Sequence, residues 1–180
     1  MGLTFRRTKL ADAYVVGPDR HEDDRGAFTR TYSEDEFVAQ GIAFHVVQTS
    51  VSFNRHERTL RGLHMRDPED DEERLVRCTA GVVFDVIVDM RQASPTFLQH
   101  FSIELTAAEQ LSLFVPRGFA HGFITLAPES EMLYYMSRAY RPSADRGIRW
   151  DDPTIAVPWP VAPAIMSSRD RHLPYWPRLK

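Results

Sequence analysis

Val82-Val83-Phe84-Asp85-Val86-Ile87-Val88-Asp89-Met90 is the clearest strand signal in the chain. Its residues alternate: Val82, Phe84, Val86 and Val88 fall on one face, and Val83, Asp85, Ile87 and Asp89 on the other. An apolar face backed by a mixed one predicts a sheet that lines both a core and a cavity. The same period extends outward. Strands are expected over 45–53 and 59–65, around the turn Asn54-Arg55-His56-Glu57-Arg58, and over 74–79, 98–105, 111–115, 122–126 and 131–138. One or two short strands fit within 5–16 and another at 27–32, with a charged loop at 21–26 and a solvated acidic loop at 67–73. The one persuasive helix spans 33–40, with Ser33 and Glu36 as a capping box and Gly41 as its stop. So many short strands and so little helix predict a β sandwich or barrel.

Beyond Tyr140 the character changes. Six of the 12 prolines lie within 142–174, among Trp150, Ile155 and Trp159. Proline is poorly tolerated in central strands, so this tail is expected to run over the outside of the sheets, pinned by its tryptophans.

The length of 180 residues suits one domain with one core. Twenty-two basic against 25 acidic residues leave a charge of −3, which speaks against a nucleic-acid or anionic-membrane partner. The single cysteine, Cys78, excludes an intramolecular disulfide and fits a reducing cytoplasm. The first residues lack the apolar core of a signal peptide, and no stretch approaches the roughly 18 apolar residues of a membrane span.

Four groups can carry chemistry. His64 lies between Arg61 and Arg66, whose charge favours a neutral imidazole ready to accept a proton; a strand histidine bonded to a carbonyl is the competing reading. His121, in Pro116-Arg117-Gly118-Phe119-Ala120-His121-Gly122-Phe123, is expected at a strand mouth where glycines let backbone approach a ligand, or else as a turn residue capping a carbonyl. Neither histidine has the spacing of a cupin metal site, so no metal is expected. Tyr134 and Tyr135 alternate, so at most one of them enters a cavity; with Tyr140 they read equally as packing. Asp170 can fold back onto a histidine and fix its tautomer, or pair with Arg169 or Arg171 at the surface. There is no phosphate-cradling glycine loop and no serine nucleophile elbow. Arg25, Arg61, Arg66, Arg74 and Arg117 beside strand ends make a nucleotide-linked anion chemically reasonable.

Several stretches, taken in order, resemble the dTDP-4-dehydrorhamnose 3,5-epimerase family. They are Asp24-Arg25-Gly26-Ala27-Phe28, Gln48-Thr49-Ser50-Val51-Ser52, Leu60-Arg61-Gly62-Leu63-His64, Leu75-Val76-Arg77-Cys78, the strand at 84–91, Ser94-Pro95-Thr96-Phe97, the His121 segment, Trp150-Asp151-Asp152-Pro153 and Ser167-Ser168-Arg169-Asp170. The resemblance implies an all-β, cupin-like double-stranded β-helix (jelly roll) with one or two short helices. It implies a single domain over 1–180, its tail from about 141 to 180 packed on the barrel. A homodimer without metal or organic cofactor is implied, acting on a nucleotide-linked, dTDP-type 4-keto-6-deoxyhexose at C3, C5 or both. His64 would be the base, Asp170 its orienting partner, and Tyr134 the acid on the opposite face. Arg74 stands where the family usually has a lysine that stabilises the enolate. Arg61 and Gln48 would hold the diphosphate, with Arg25 and Phe28 reaching over from the partner's N-terminal segment. His121 would line the sugar pocket and Tyr140 would join the substrate-binding set. Ser50 replaces the usual asparagine and Arg30 the usual glutamate near the nucleotide. These departures leave a single-position epimerase, or a sugar-nucleotide-binding jelly roll with altered catalysis, as alternatives.

Overall fold

The computed structural model describes residues 2–177. The expected domain and tail run past these limits, at Met1 and at 178–180. In chain order the elements are β1 (Leu3–Arg7), β2 (Tyr14–Pro18), β3 (Arg20–Asp23), β4 (Gly26–Thr29), α1 (Glu34–Ala39), β5 (Gln48–Asn54), β6 (Thr59–Arg66), β7 (Arg74–Ala80), β8 (Val82–Asp89), β9 (His100–Thr106), β10 (Ser112–Val115), β11 (Phe119–Thr125), β12 (Ser130–Met136), β13 (Asp145–Gly147), β14 (Ile165–Met166) and α2 (Ser168–Arg171). One sheet has the order β1-β2-β10-β7-β12-β5 and faces a second, β13-β6-β11-β8-β9; β14 pairs with β6, and β3 with β4 in a hairpin of their own. From β5 to β8, and again from β9 to β12, successive strands alternate between the two large sheets. That winding makes the fold a cupin-like jelly roll. Among the described residues no helix is long and apolar enough to cross a membrane.

Strand periodicity explains where the core sits, with one reversal. Val83 and Ile87 of β8 point between the sheets, against Val76, Cys78, Leu113 and Met132. Val86 and Val88 point outward and pack with Leu63, Ile148 and Ile155 beneath the tail. The wholly apolar face of β8 is therefore the outer one, covered by the tail, while the mixed face carrying Asp85 looks into the space between the sheets. A third cluster, Tyr14, Val16, Leu75 and Phe114 with Phe37 and Phe44, covers the outside of the first sheet.

Several expectations need correction. The charged segment at 21–26 is half of the β3–β4 hairpin rather than a loop, because Arg20–Asp23 finds its backbone partners in Gly26–Thr29. The capping box does not form: Ser33 makes no side-chain cap. Glu36 instead accepts from the Leu3 amide and from Arg30 Nη1 at 2.8 Å. A six-residue helix is too short to stand alone. Fully buried Phe37, edge-on to Phe5 at 5.0 Å, holds α1 to the sheet and contributes roughly 1.5–3 kcal/mol. The tail is pinned as expected, with Trp159 against Phe84 and its indole N–H on the Trp150 carbonyl at 2.8 Å. It does more than cover, however. It adds β13 and β14 alongside β6, and carries α2.

Candidate functional site

The site grows from the pairing of β6 with β11, where His64 lies opposite His121 and Arg61 opposite Phe123. Between those pairs β6 advances three residues while β11 advances two, a bulge that brings both Arg61 and His64 to line the space between the sheets. Strict alternation would have parted them. Two glycines permit this. Gly62 has φ +136°, and a Cβ there would lie 2.6 Å from Gly122 Cα; a Cβ on Gly122 would lie 2.7 Å from the Arg61 carbonyl oxygen. The close approach expected beside His121 is thus made by the backbone of β6. His121 itself is corrected from a strand mouth to the interior of β11, where it is 3% exposed.

Two histidine–carboxylate pairs result. His64 Nε2 lies 2.7 Å from Asp170 Oδ1, and among the described residues the other ring nitrogen has no hydrogen-bond partner. Asp170 reaches β6 because Ser167 caps α2, its Oγ accepting the Asp170 amide at 3.0 Å. The second carboxylate oxygen accepts the Gly62 amide at 3.3 Å. Burial alone would raise the Asp170 carboxyl, but the His64 hydrogen bond and charge, with the Gly62 and Ser167 bonds, hold it below the ordinary carboxylate range. The His64 side chain is 33% exposed and that of Asp170 5%. In the other pair, His121 Nε2 lies 2.9 Å from Asp85 Oδ2, both side chains enclosed. Burial pushes the Asp85 carboxyl up, against the pull of His121.

Tyr134 enters from the opposite sheet, on β12 between Ser50 of β5 and Val76 of β7. Its ring meets His121 edge-on at 6.0 Å. Burial, and then the Asp85 charge, raise the phenol well above its ordinary value, with Arg74 and Arg61 opposing, so it holds its proton at neutral pH. Tyr135 points to the outer cluster, as the alternation requires.

The cavity between His64 and Tyr134 is about 280 Å³, and Ser50, Arg61, Arg74, His121 and Tyr140 also line it. Arg61 Nε donates to Asn54 Oδ1 at 2.7 Å. Gln48 is not a lining residue; it holds two that are, taking the Tyr140 amide at 2.9 Å and donating to Ser50 Oγ at 3.3 Å. Arg25 and Phe28 sit on the β3–β4 hairpin, outside this chain's cavity, and the Phe28 residue is 68% exposed. Among the described residues no group of three His, Cys, Asp or Glu side chains is placed to hold a metal ion.

Sequence reasoning gave Asp85 and Glu72 no role in the site, and named Arg66 only as a charge flanking His64 and among the arginines beside strand ends. Asp85 was legible as the inward-facing polar residue of an apolar strand. Glu72 was not: the acidic run 67–73 reads as solvated, yet Glu72 is 5% exposed because Arg74 Nε at 2.9 Å and Arg66 Nη1 at 3.5 Å converge on it.

Comparison with known proteins agrees with this fold. A family model described as dTDP-4-dehydrorhamnose 3,5-epimerase matches residues 7–177. The dTDP-4-dehydrorhamnose 3,5-epimerase of Salmonella typhimurium is 38% identical over 159 residues, 87% of this chain and 85% of that protein. A crystal structure of the Bacillus anthracis dTDP-4-dehydrorhamnose 3,5-epimerase, with TDP and PPi bound, superposes with a TM-score of 0.94 at 37% identity, covering 97% of this chain and 100% of that one. The Legionella pneumophila dTDP-6-deoxy-D-glucose-3,5-epimerase in complex with dTDP-4-keto-L-rhamnose gives 0.91 at 30% identity, covering 96% and 92%.

Proposed function

The chain belongs to the dTDP-4-dehydrorhamnose 3,5-epimerase family, and we propose that His64, Asp170, Tyr134 and Arg74 carry the proton transfers of its reaction. The enzyme is an isomerase of deoxysugar biosynthesis that epimerises a nucleotide-linked 4-keto-6-deoxyhexose beside its C4 ketone. The ketone acidifies the C–H bonds at C3 and C5. The free nitrogen of His64 takes such a proton, and the C–H electron pair moves into the carbonyl to leave an enolate oxygen. Asp170, ionised and bonded to the other nitrogen, holds the ring and stabilises the imidazolium. The Arg74 guanidinium meets the enolate oxygen, where preorganised donors contribute most. Tyr134 then returns a proton to the carbon, inverting it.

The observation that carries this reading is that the base and the acid belong to opposite sheets with the cavity between them. A sugar ring in that space has His64 on one face and Tyr134 on the other, which inversion demands. Arg61, Ser50 and Tyr140, with Gln48 bracing the last two, hold the nucleotide diphosphate, and His121 lines the sugar pocket. The enzyme works as a homodimer, with Arg25 and Phe28 of one hairpin completing the partner's site. The exposed Phe28, and Val51 and Phe53 exposed on edge strand β5, support that assembly. Buried, free Cys78 fits a cytoplasmic setting.

The test is solvent deuterium wash-in on dTDP-4-keto-6-deoxyglucose, followed at C3 and C5 by NMR. The wild-type protein exchanges at one or both carbons and His64→Ala does not. A protein that exchanges no nucleotide 4-keto sugar overturns the reading.

A further inference from the structure

Arg66 lies two residues beyond His64 on β6 and, like it, lines the cavity, paired in register with Asp145 of β13. Its side chain is only 2% exposed. Of its nitrogens, Nη1 reaches Glu72 Oε2 at 3.5 Å, while Nε and Nη2 have no hydrogen-bond partner. Burying a guanidinium this incompletely satisfied is costly, so a local packing role accounts poorly for it. Its neighbour supplies the reason. The other Glu72 oxygen accepts Arg74 Nε at 2.9 Å, and the Glu72 side chain is 3% exposed. Two guanidinium groups thus share one enclosed carboxylate, and the cluster carries a net positive charge into the cavity wall.

We propose that Arg66 and Glu72 are positioning residues for Arg74: Glu72 aims the Arg74 guanidinium, and Arg66 balances the Glu72 charge so that Arg74 faces the cavity uncancelled. By gripping Nε, Glu72 leaves both terminal nitrogens of Arg74 free for a ligand oxygen. That grip alone would also cancel the charge the enolate needs. Arg66, held on a strand inside the sheet rather than on the 67–73 loop, restores it. The inference rests on Arg74 being the partner of the enolate oxygen.

The test compares kcat for deuterium wash-in, dTDP affinity and melting temperature across one series. Arg66→Met leaves Glu72 and Arg74 as a neutral pair and lowers kcat on the order of 10²-fold with little change in dTDP affinity. Arg66→Lys, which keeps the charge, recovers about tenfold or more of that loss. Adding Glu72→Gln to Arg66→Met removes the cancelling charge while keeping an oxygen for Arg74 Nε, and it too recovers about tenfold or more in kcat. Should Arg66→Met fold poorly, Arg66→Gln serves as the neutral variant, and the double variant must still exceed it. Wild-type kcat in Arg66→Met, or a double variant no faster than the single one, overturns the proposal while leaving the epimerase reading intact. Absence of exchange in the wild type overturns both.

Discussion

The two histidine–carboxylate pairs lie opposite each other in adjacent strands, yet their surroundings set them to different work. His121 and Asp85 come from neighbouring strands of one sheet, β11 and β8, and both are sealed in. His64 is a third exposed, and its carboxylate comes from α2, 106 residues further along the chain. Equal chemistry in the first pair and the second becomes structure in one case and reactivity in the other. The difference is access: both rings line the cavity, but His121 is 3% exposed and tied to an enclosed carboxylate, whereas a third of the His64 side chain is open to the cavity. The carboxylates diverge in the same way, Asp85 being pushed above its ordinary value by burial and Asp170 held below it by its bonds.

The largest contrast is expected on removing each ring. His64→Ala lowers the exchange rate by roughly 10²–10⁴-fold, the range of a general base, with a modest effect on unfolding. His121→Ala strands Asp85 in the interior and costs about 3–5 kcal/mol of stability, read by urea unfolding. If both variants lost activity at unchanged stability, the division between the pairs would fall. Tyr134→Phe sharpens the picture: it removes the acid but leaves the base. Epimerisation drops on the order of 10²-fold, while wash-in without inversion persists from the His64 side. Equal loss of both signals would show that Tyr134 does not act separately from His64.

The smallest effect is in the pH dependence of stability. Asp170 is depressed in the folded protein, so its contribution is present above the unfolded carboxylate value of about 3.9 and is lost as pH falls through the folded one. Asp85 is raised, so its contribution is present below about 3.9 and is lost as pH rises through its folded value. Asp170→Asn therefore lowers the melting temperature less near pH 3 than near pH 7, and Asp85→Asn lowers it more near pH 3 than near pH 7. Parallel shifts in the two variants would remove the distinction.

Much of the fold was legible. β6, β7, β8 and β10 fall within one or two residues of their expected spans, because alternation is a local property of the strand. The capping box was misjudged because Glu36 is claimed by the Leu3 amide, 33 residues away along the chain, and by Arg30 just ahead of the helix. Proline content disguised β13 and β14, which need only three and two residues of backbone pairing to join β6. In the site, His64 and Tyr134 stood out as residue types in strands. Reading the residues alone left Asp170 between a surface ion pair and a histidine partner, and only the resemblance chose.

The sequence by itself determined which residues point together along each strand, since successive side chains alternate whatever the partner strand is. That was enough for a two-sheet β fold, for a mixed face on β8 and for Tyr134 and Tyr135 parting to opposite sides. Only the tertiary structure decided that Asp85 meets His121 and that Glu72 sits between Arg66 and Arg74. It also decided that Arg61 and His64 share a face, through a bulge opposite Gly122. Pairing and burial belong to segments brought together across sheets, and the free energy of a charge depends on what surrounds it, which no local pattern encodes.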